Sequence, residues 1–380
     1  MDHTAGIPPF RKKFAAIAAH PGIELTVLAP ARWVENYKVI EARSGDEGGY
    51  AFRTGRVGWP GYENRAFFRS GIGPALRSVR PDVLHLWEEP FSVIALQALS
   101  LASIWAPRAR SIFFSSDNLS RGFRYSYRPS AFYAAVERYA HKRCAMGTAV
   151  SEEVVAVLRE KGFSKPIEVV PHGIDLSDYP AGPGRGTGEV GSRLGLKPPI
   201  VGYVGRLLRQ KGIDLLLRAA ASLPHPRPSL VLVGDGPCRE ELEHMVKTLG
   251  LSEQARFLNL ARHEEVPAVL SQIDVLVLPS RSTPRWKEQF GRVLIEGMAA
   301  GCVVIGSSSG AIPEVLGDAG LVFEEESSDD LARAIQRVLG DRSLGETLRA
   351  RGRARVKENY TWDAVAGRVV SMYHTLLDGS

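Results

Sequence analysis

From residue 200 to residue 305, short apolar runs and amphipathic helical patterns alternate without a break. Residues 200–204, 230–233, 256–260, 273–278 and 303–305 read as strands. Residues 213–222, 239–249, 265–271 and 291–300 read as helices. Runs that are apolar on both faces, with a helix between each pair, pair in parallel, because every crossover returns the chain to the same end of the sheet. The alternation predicts an α/β fold with a parallel, doubly wound sheet. Further helices at 331–339 and 361–377 finish the chain.

The first half carries the same pattern less regularly. Pro8-Pro9 opens a helix over 10–20 that stops at Pro21-Gly22, and a buried strand over 23–28 follows. Residues 43–62, rich in Gly, Arg and Tyr, read as irregular loop. Strands are expected at 81–86, 111–115, 147–150 and 167–170, and helices at 130–144 and from Ser151, as cap, to Gly162. A doubly wound sheet also needs a strand ahead of its first helix. Met1 to His3 is either the stub of that strand or the start lies upstream. Residues 181–195 hold six glycines and no periodicity, as a flexible linker would. The expected division is 1–177 as one domain, 178–197 as linker, 198–360 as a second domain, and 361–380 as a closing helix.

A chain of 380 residues with 44% hydrophobic and 24% charged residues has ordinary globular composition for two domains. Cys144, Cys238 and Cys302 are odd in number and lack ligand spacing, so they read as reduced thiols of a cytoplasmic protein. The longest apolar stretch, 92–106, is too short to cross a bilayer. The net charge of +6 points to acidic partners. With no basic run interleaved with aromatics, nucleic acid is excluded in favour of phosphates or an anionic membrane surface, contacted peripherally.

The chemistry gathers at residues 278–301, LPSRSTPRWKEQFGRVLIEGMAAG. The helix in this stretch is apolar nearly all round and should be buried. Glu296 lies in its middle, where a carboxylate is costly unless paired; a neighbouring backbone group or an arginine meets it, or a ligand does. Glu288 precedes the first turn, whose free N–H groups suit an anionic oxygen, and Gly291 lets the backbone come close to a ligand. Upstream, Gly205-Arg206 ends a strand and Lys211-Gly212 begins the next helix. A guanidinium fork and an ammonium at such a turn can neutralise a diphosphate. Gly234-Asp235-Gly236-Pro237 ends another strand without the spacing of a dinucleotide loop, which disfavours a nicotinamide oxidoreductase.

EQFGRVLIE resembles the E-x7-E signature of the retaining glycosyltransferases of family 4, and the GR…KG pair and the turn Pro171-His172-Gly173-Ile174-Asp175 fit the same family. The resemblance implies a GT-B fold: two Rossmann-like domains facing across a cleft, the second binding the donor and the last helix crossing back to the first. It implies transfer of a sugar from a UDP- or GDP-sugar to a glycan or lipid-linked acceptor, in polysaccharide or glycolipid synthesis. Glu288, Arg206 and Lys211 would be catalytic. Gly6, Gly205, Gly234, Gln289, Phe290, Gly291, Arg292, Val293 and Glu296 would complete the donor site, with Arg11, His85, Glu88 and Asn118 on the acceptor side. Gly6 is followed by Ile7 where relatives carry a second glycine, and Trp87 stands where some carry a histidine. No D-x-D pair is present, so no metal or other cofactor is expected. A sugar-nucleotide epimerase of the same fold and a non-catalytic nucleotide-sugar binder are the alternatives.

Overall fold

The structure, a computed structural model, describes residues 1–35, 38–179, 195–259 and 263–378. They form two compact units, one of Met1–Gly173 with Trp362–Ser380 and one of Ile174–Thr361. Most of the glycine-rich segment expected as linker, 180–194, lies outside the described residues.

The second unit is built on six parallel strands. Their order across the sheet is Ala255–Leu258, Ser229–Val233, Ile200–Val204, Val275–Leu278, Val303–Ser307, Gly320–Phe323. Numbered along the chain that order is 3-2-1-4-5-6, the doubly wound arrangement, with its reversal between Ile200–Val204 and Val275–Leu278. All five residues of Ile200–Val204 and all four of Val275–Leu278 are buried, as expected of parallel strands covered on both faces. Helix Ile213–Ser222 packs with Ser328–Gly340, and helix Arg292–Ala300 with Arg342–Asn359. The edge strand Gly320–Phe323 was not expected from the sequence. Its residues, Gly-Leu-Val-Phe, are a short apolar run, but three of the four are partly or fully exposed, as fits the edge of the sheet.

The first unit holds two parallel groups of strands. Thr26–Pro30 pairs with Tyr50–Gly55, which also takes Gly45–Glu47 in antiparallel register. Val83–Leu86, Arg110–Ser115, Met146–Ala149 and Ile167–Val169 form the other group. Met1–Asp2 sits between the groups: the Asp2 N–H donates to the Leu28 carbonyl (3.2 Å), and the Trp87 N–H donates to the Met1 carbonyl (2.8 Å). These two residues thus occupy the strand position ahead of helix Pro8–Ala18. The last helix, Trp362–Asp378, places Val365, Ala366, Val369 and Met372 in one core with Ile17, Ile112 and Met146.

Three local expectations need correction. The strand placed at 23–28 runs instead over Thr26–Pro30, because Ile23 is held in a turn by His20. The segment 43–62 is not irregular: Tyr50–Gly55 is a sheet strand with Phe52 fully buried, its alternation hidden by the surrounding Gly and Arg. Ser151 stands at the start of helix Glu152–Glu160 with extended backbone, but its hydroxyl makes no capping bond.

Candidate active site

The reversal of strand order opens space at the carboxyl ends of Ile200–Val204 and Val275–Leu278, and the charged residues of the second unit meet there. After Ile200–Val204 the Tyr203 hydroxyl donates to the Arg206 carbonyl at 2.7 Å and fixes the turn. The Arg206 side chain is exposed and pairs with no carboxylate among the described residues. Lys211 ends the short 3₁₀ turn Arg209–Lys211, and Gly212 caps helix Ile213–Ser222 in the left-handed conformation, φ 66°. A Cβ on Gly212 would lie 1.9 Å from the Pro279 carbonyl oxygen, so the two strand-end loops touch through bare backbone.

Across that contact the Lys211 ammonium lies 2.6 Å from Glu288 Oε2, which also accepts from the Ser280 hydroxyl at 2.7 Å. The ammonium stands 4.8 Å from the centre of the Trp286 ring. Glu288 is 7% exposed, and its carbonyl accepts the Ala311 N–H at 3.0 Å. Burial and the Glu288 charge together push the Tyr203 phenol upward. A second fixture holds the loop: both guanidinium–carboxylate contacts of Arg281 with Asp214 measure 3.0 Å.

Gly291 caps helix Arg292–Ala300 with φ 77°, a conformation that favours glycine. Glu296 is 4% exposed, and its carboxylate lies 3.1 Å from Arg292 Nε and is hydrogen-bonded by Tyr179. Burial and the Glu296 charge push the Tyr179 phenol upward. Of the partners expected for Glu296, an arginine is present, and it is the one four residues before it. Of the other expected donor residues, Gln289 is exposed, Gly205, Gly234, Arg292 and Val293 are half-buried, and Phe290 is a core residue packed edge-on against Tyr360. Ser280, Arg281 and Tyr179 were missed. Ser280 and Arg281 could have been found, because they follow the strand end directly; Tyr179 has no local signal.

The residues expected on the acceptor side are largely engaged within the first unit. Arg11 holds Glu47 at 2.6 and 2.8 Å and lies over the Phe52 ring. Gly6, expected in the donor site, is also buried within the first unit, and its carbonyl accepts from Arg11. His85 bonds the Tyr373 hydroxyl at 2.8 Å, and burial holds its imidazole well below the usual range, hence neutral. The Asn118 amide donates to Glu153 at 2.9 Å. Glu88 accepts from the His3 N–H and the His3 ring, both at 2.9 Å. Burial alone would lower His3, but the Glu88 carboxylate, with help from Asp2, raises it to about 9. Sequence reasoning also missed Lys161, which is buried between Asp117 (3.3 Å) and Glu137 (3.0 Å), and Glu89, which burial and Asp117 raise to about 7.

Among the described residues no three His, Cys, Asp or Glu side chains gather as a metal-ligand set. None of the described helices is long and apolar enough to cross a membrane.

A parallel sheet reversed at 1-4, with a cation and a buried carboxylate joined across the reversal, defines a doubly wound α/β protein with a charged strand-end site. The comparisons narrow that class. The family model for glycosyl transferases group 1 matches residues 190–355, and that for glycosyltransferase family 4 matches 15–178. The chain belongs to glycosyltransferase family 4, with the GT-B fold. It is 31% identical over 254 residues to a 2-deoxystreptamine glucosyltransferase of Streptomyces kanamyceticus, covering 64% of each chain. It is 30% identical over 246 residues to a GDP-mannose-dependent alpha-(1-6)-phosphatidylinositol monomannoside mannosyltransferase of Mycobacterium tuberculosis, covering 62% of this chain and 64% of that one. The matches therefore span slightly less than two thirds of these curated relatives. Among solved structures, Anabaena Alr3699/HepE in complex with UDP and glucose superposes with a TM-score of 0.69 at 19% identity, over 96% of this chain and 95% of that one.

Proposed function

We propose that this protein is a retaining glycosyltransferase that moves a sugar from a UDP- or GDP-sugar to an acceptor hydroxyl. The observation that carries the reading is the Lys211–Glu288 pair at the strand reversal, with the exposed Arg206 at the end of the same strand pairing with no carboxylate among the described residues. Arg206 and Lys211 would neutralise the donor diphosphate. Glu288, already holding Lys211 and Ser280, would orient that ammonium and hold hydroxyls of the sugar. Glu296 would accept the ribose hydroxyls. The acceptor oxygen bonds to the anomeric carbon as the bond to the diphosphate breaks on the same face. The acceptor's proton passes to the departing phosphate oxygen. Catalysis is then positioning and charge stabilisation, with no metal taking part.

The relatives named above are a 2-deoxystreptamine glucosyltransferase and a phosphatidylinositol monomannoside mannosyltransferase, and the second of these supports a polysaccharide or glycolipid pathway as the proposed setting. The net charge of +6 resides entirely in the first unit, with 24 Lys and Arg against 18 Asp and Glu; the second has 24 of each. That imbalance supports an anionic acceptor or the cytoplasmic face of an anionic membrane as the surface the first unit meets.

The test is a titration of the purified protein with UDP- and GDP-sugars, with and without EDTA, in wild type and Arg206→Ala. Binding that survives EDTA and is lost in the variant is expected. Binding that needs a divalent ion, or that Arg206→Ala leaves intact, would overturn the arrangement.

A further inference from the structure

Helices Ile72–Val79, Val93–Trp105 and Ser130–Arg143 each lead into a strand of the first unit, Val83–Leu86, Arg110–Ser115 and Met146–Ala149. The strands are parallel, so the three helix-to-strand turns share one end of the sheet, the amino end. Two backbone bonds join the turns: the Arg110 N–H donates to the Asp82 carbonyl and the Ala145 N–H to the Ser111 carbonyl, both at 2.8 Å. Glu89 and Asp117 follow the carboxyl ends, on the opposite side of the sheet.

Residues 72–82, 104–110 and 141–146 hold six Lys and Arg against one acid, Asp82. Arg77, Arg80, Arg108, Arg110, Lys142 and Arg143 are all exposed, and none pairs with a carboxylate among the described residues. Between them stand Ile104, 64% exposed, and Trp105, 39% exposed, with the Arg77 guanidinium 3.9 Å from the centre of a Trp105 ring. Helix Val93–Trp105 turns Ile94, Ala95, Ala98, Leu99 and Ala102 to the core. At 3.6 residues per turn Ile104 falls on the other side.

Each part has an ordinary explanation on its own. Single exposed apolar residues are common. Cations suit helix C-termini, which accounts for Arg77, Lys142 and Arg143 in their last turns. Neither explanation covers Arg108 and Arg110, which lie in no helix, or an isoleucine and a tryptophan exposed side by side among unpaired cations.

We propose that the amino end of the first unit's sheet docks on an anionic lipid bilayer, with Ile104 and Trp105 entering the headgroup layer and the six cations meeting lipid phosphates. A tryptophan suits the membrane–water interface, and basic residues beside it add electrostatic attraction. A second copy of this face is excluded as the occupant, because six cations would oppose six. The inference deepens the membrane setting proposed above and rests on that reading, but not on sugar transfer.

The test measures binding of the purified protein to vesicles of phosphatidylcholine, alone or mixed with phosphatidylglycerol. Binding is expected to the mixed vesicles only, and should fade at 1 M salt, where the screening length is about 3 Å. Arg108→Glu with Arg110→Glu should weaken it by more than about tenfold. Ile104→Ser with Trp105→Ser should do the same. Both double variants should keep a cooperative melt and wild-type affinity for sugar nucleotide. The controls lie on the loop whose Asn64 carbonyl accepts the Val93 N–H, at the carboxyl side. There Arg65→Glu with Arg69→Glu, and Trp59→Ser with Tyr62→Ser, should each change binding by less than about threefold. Binding to neither kind of vesicle, or binding that either amino-end variant leaves intact, would overturn the proposal. So would a loss in the control variants equal to that at the amino end. Vesicle binding without sugar-nucleotide binding would sink the proposed reaction and leave this inference standing.

Discussion

Arg206 and Lys211 are equivalent as sequence, two cations flanking one turn, yet they differ in what they touch. The Arg206 side chain is exposed and pairs with no carboxylate among the described residues, and its backbone carbonyl, which holds the turn, is kept in an alanine variant. Arg206→Ala should therefore lower transfer by more than about tenfold, over 1.4 kcal/mol of barrier, and leave the melting temperature unchanged. Lys211→Ala and Glu288→Ala should lower transfer at least as much. Lys211→Ala also strips a buried carboxylate of its charged partner, at a cost of about 1–3 kcal/mol seen in urea unfolding. Turnover at the wild-type rate in any of the three would remove the proposed site. His3 offers a pH test. Its folded value, about 9, lies above the ordinary 6.5, so its contribution is complete below 6.5 and is lost as pH rises toward 9. The Met1 amine, lowered by burial to about 6, titrates in the same window with the opposite sign. Wild type should therefore be compared with Glu88→Gln. The stability difference should shrink by about 3 kcal/mol between pH 6 and pH 9; a constant difference would contradict the pairing. At this scale the sequence exposed what is local. Glu288, Gly291 and Glu296 sit in one stretch and could be read together. Of the partners of Glu296, Arg292 lies in that same stretch, but Tyr179 could not be read with it because it lies 117 positions away.

Helix starts and strand ends carry the site, and their tolerance to a single methyl group can be measured. Gly212→Ala would drive a Cβ into the Pro279 carbonyl at φ 66°, so it should destabilise the second unit by more than about 1 kcal/mol and lower transfer with it. Gly367→Ala, in helix Trp362–Asp378 with nothing within 4 Å, should instead stabilise the first unit by up to about 1 kcal/mol. Thermal melts of the two variants should move in opposite directions. The second unit was legible because its strands are buried on both faces, and Ile200–Val204 and helix Ile213–Ser222 lie where the pattern puts them. Tyr50–Gly55 was not, because only Tyr50, Phe52 and Gly55 are deeply buried and Arg53 is exposed. The Lys161 network was also hidden, since Asp117, Glu137 and Lys161 come from three separate elements.

At the scale of the molecule the two units are not consecutive stretches of chain. The second is a single span, Ile174–Thr361, whereas the first needs Trp362–Asp378 to complete the core around Ile17, Ile112 and Met146. Removing 362–380 should therefore unfold the first unit and leave the second able to bind nucleoside diphosphate. Calorimetry would check this: at a ligand concentration of about 100 Kd the surviving transition should gain about 2.7 kcal/mol. Loss of both transitions would mean that neither unit folds alone. The interleaved order also matters during synthesis. By the time Gly173 has left the ribosome, the first unit still lacks its last helix, and roughly 200 further residues must be made at about 5–20 per second. For roughly ten to forty seconds the apolar faces of Ile17, Ile112 and Met146 stand uncovered while the second unit forms. A nascent chain of this design needs holding as well as folding, and its yield in a cell should respond to chaperone supply more than its equilibrium stability would suggest.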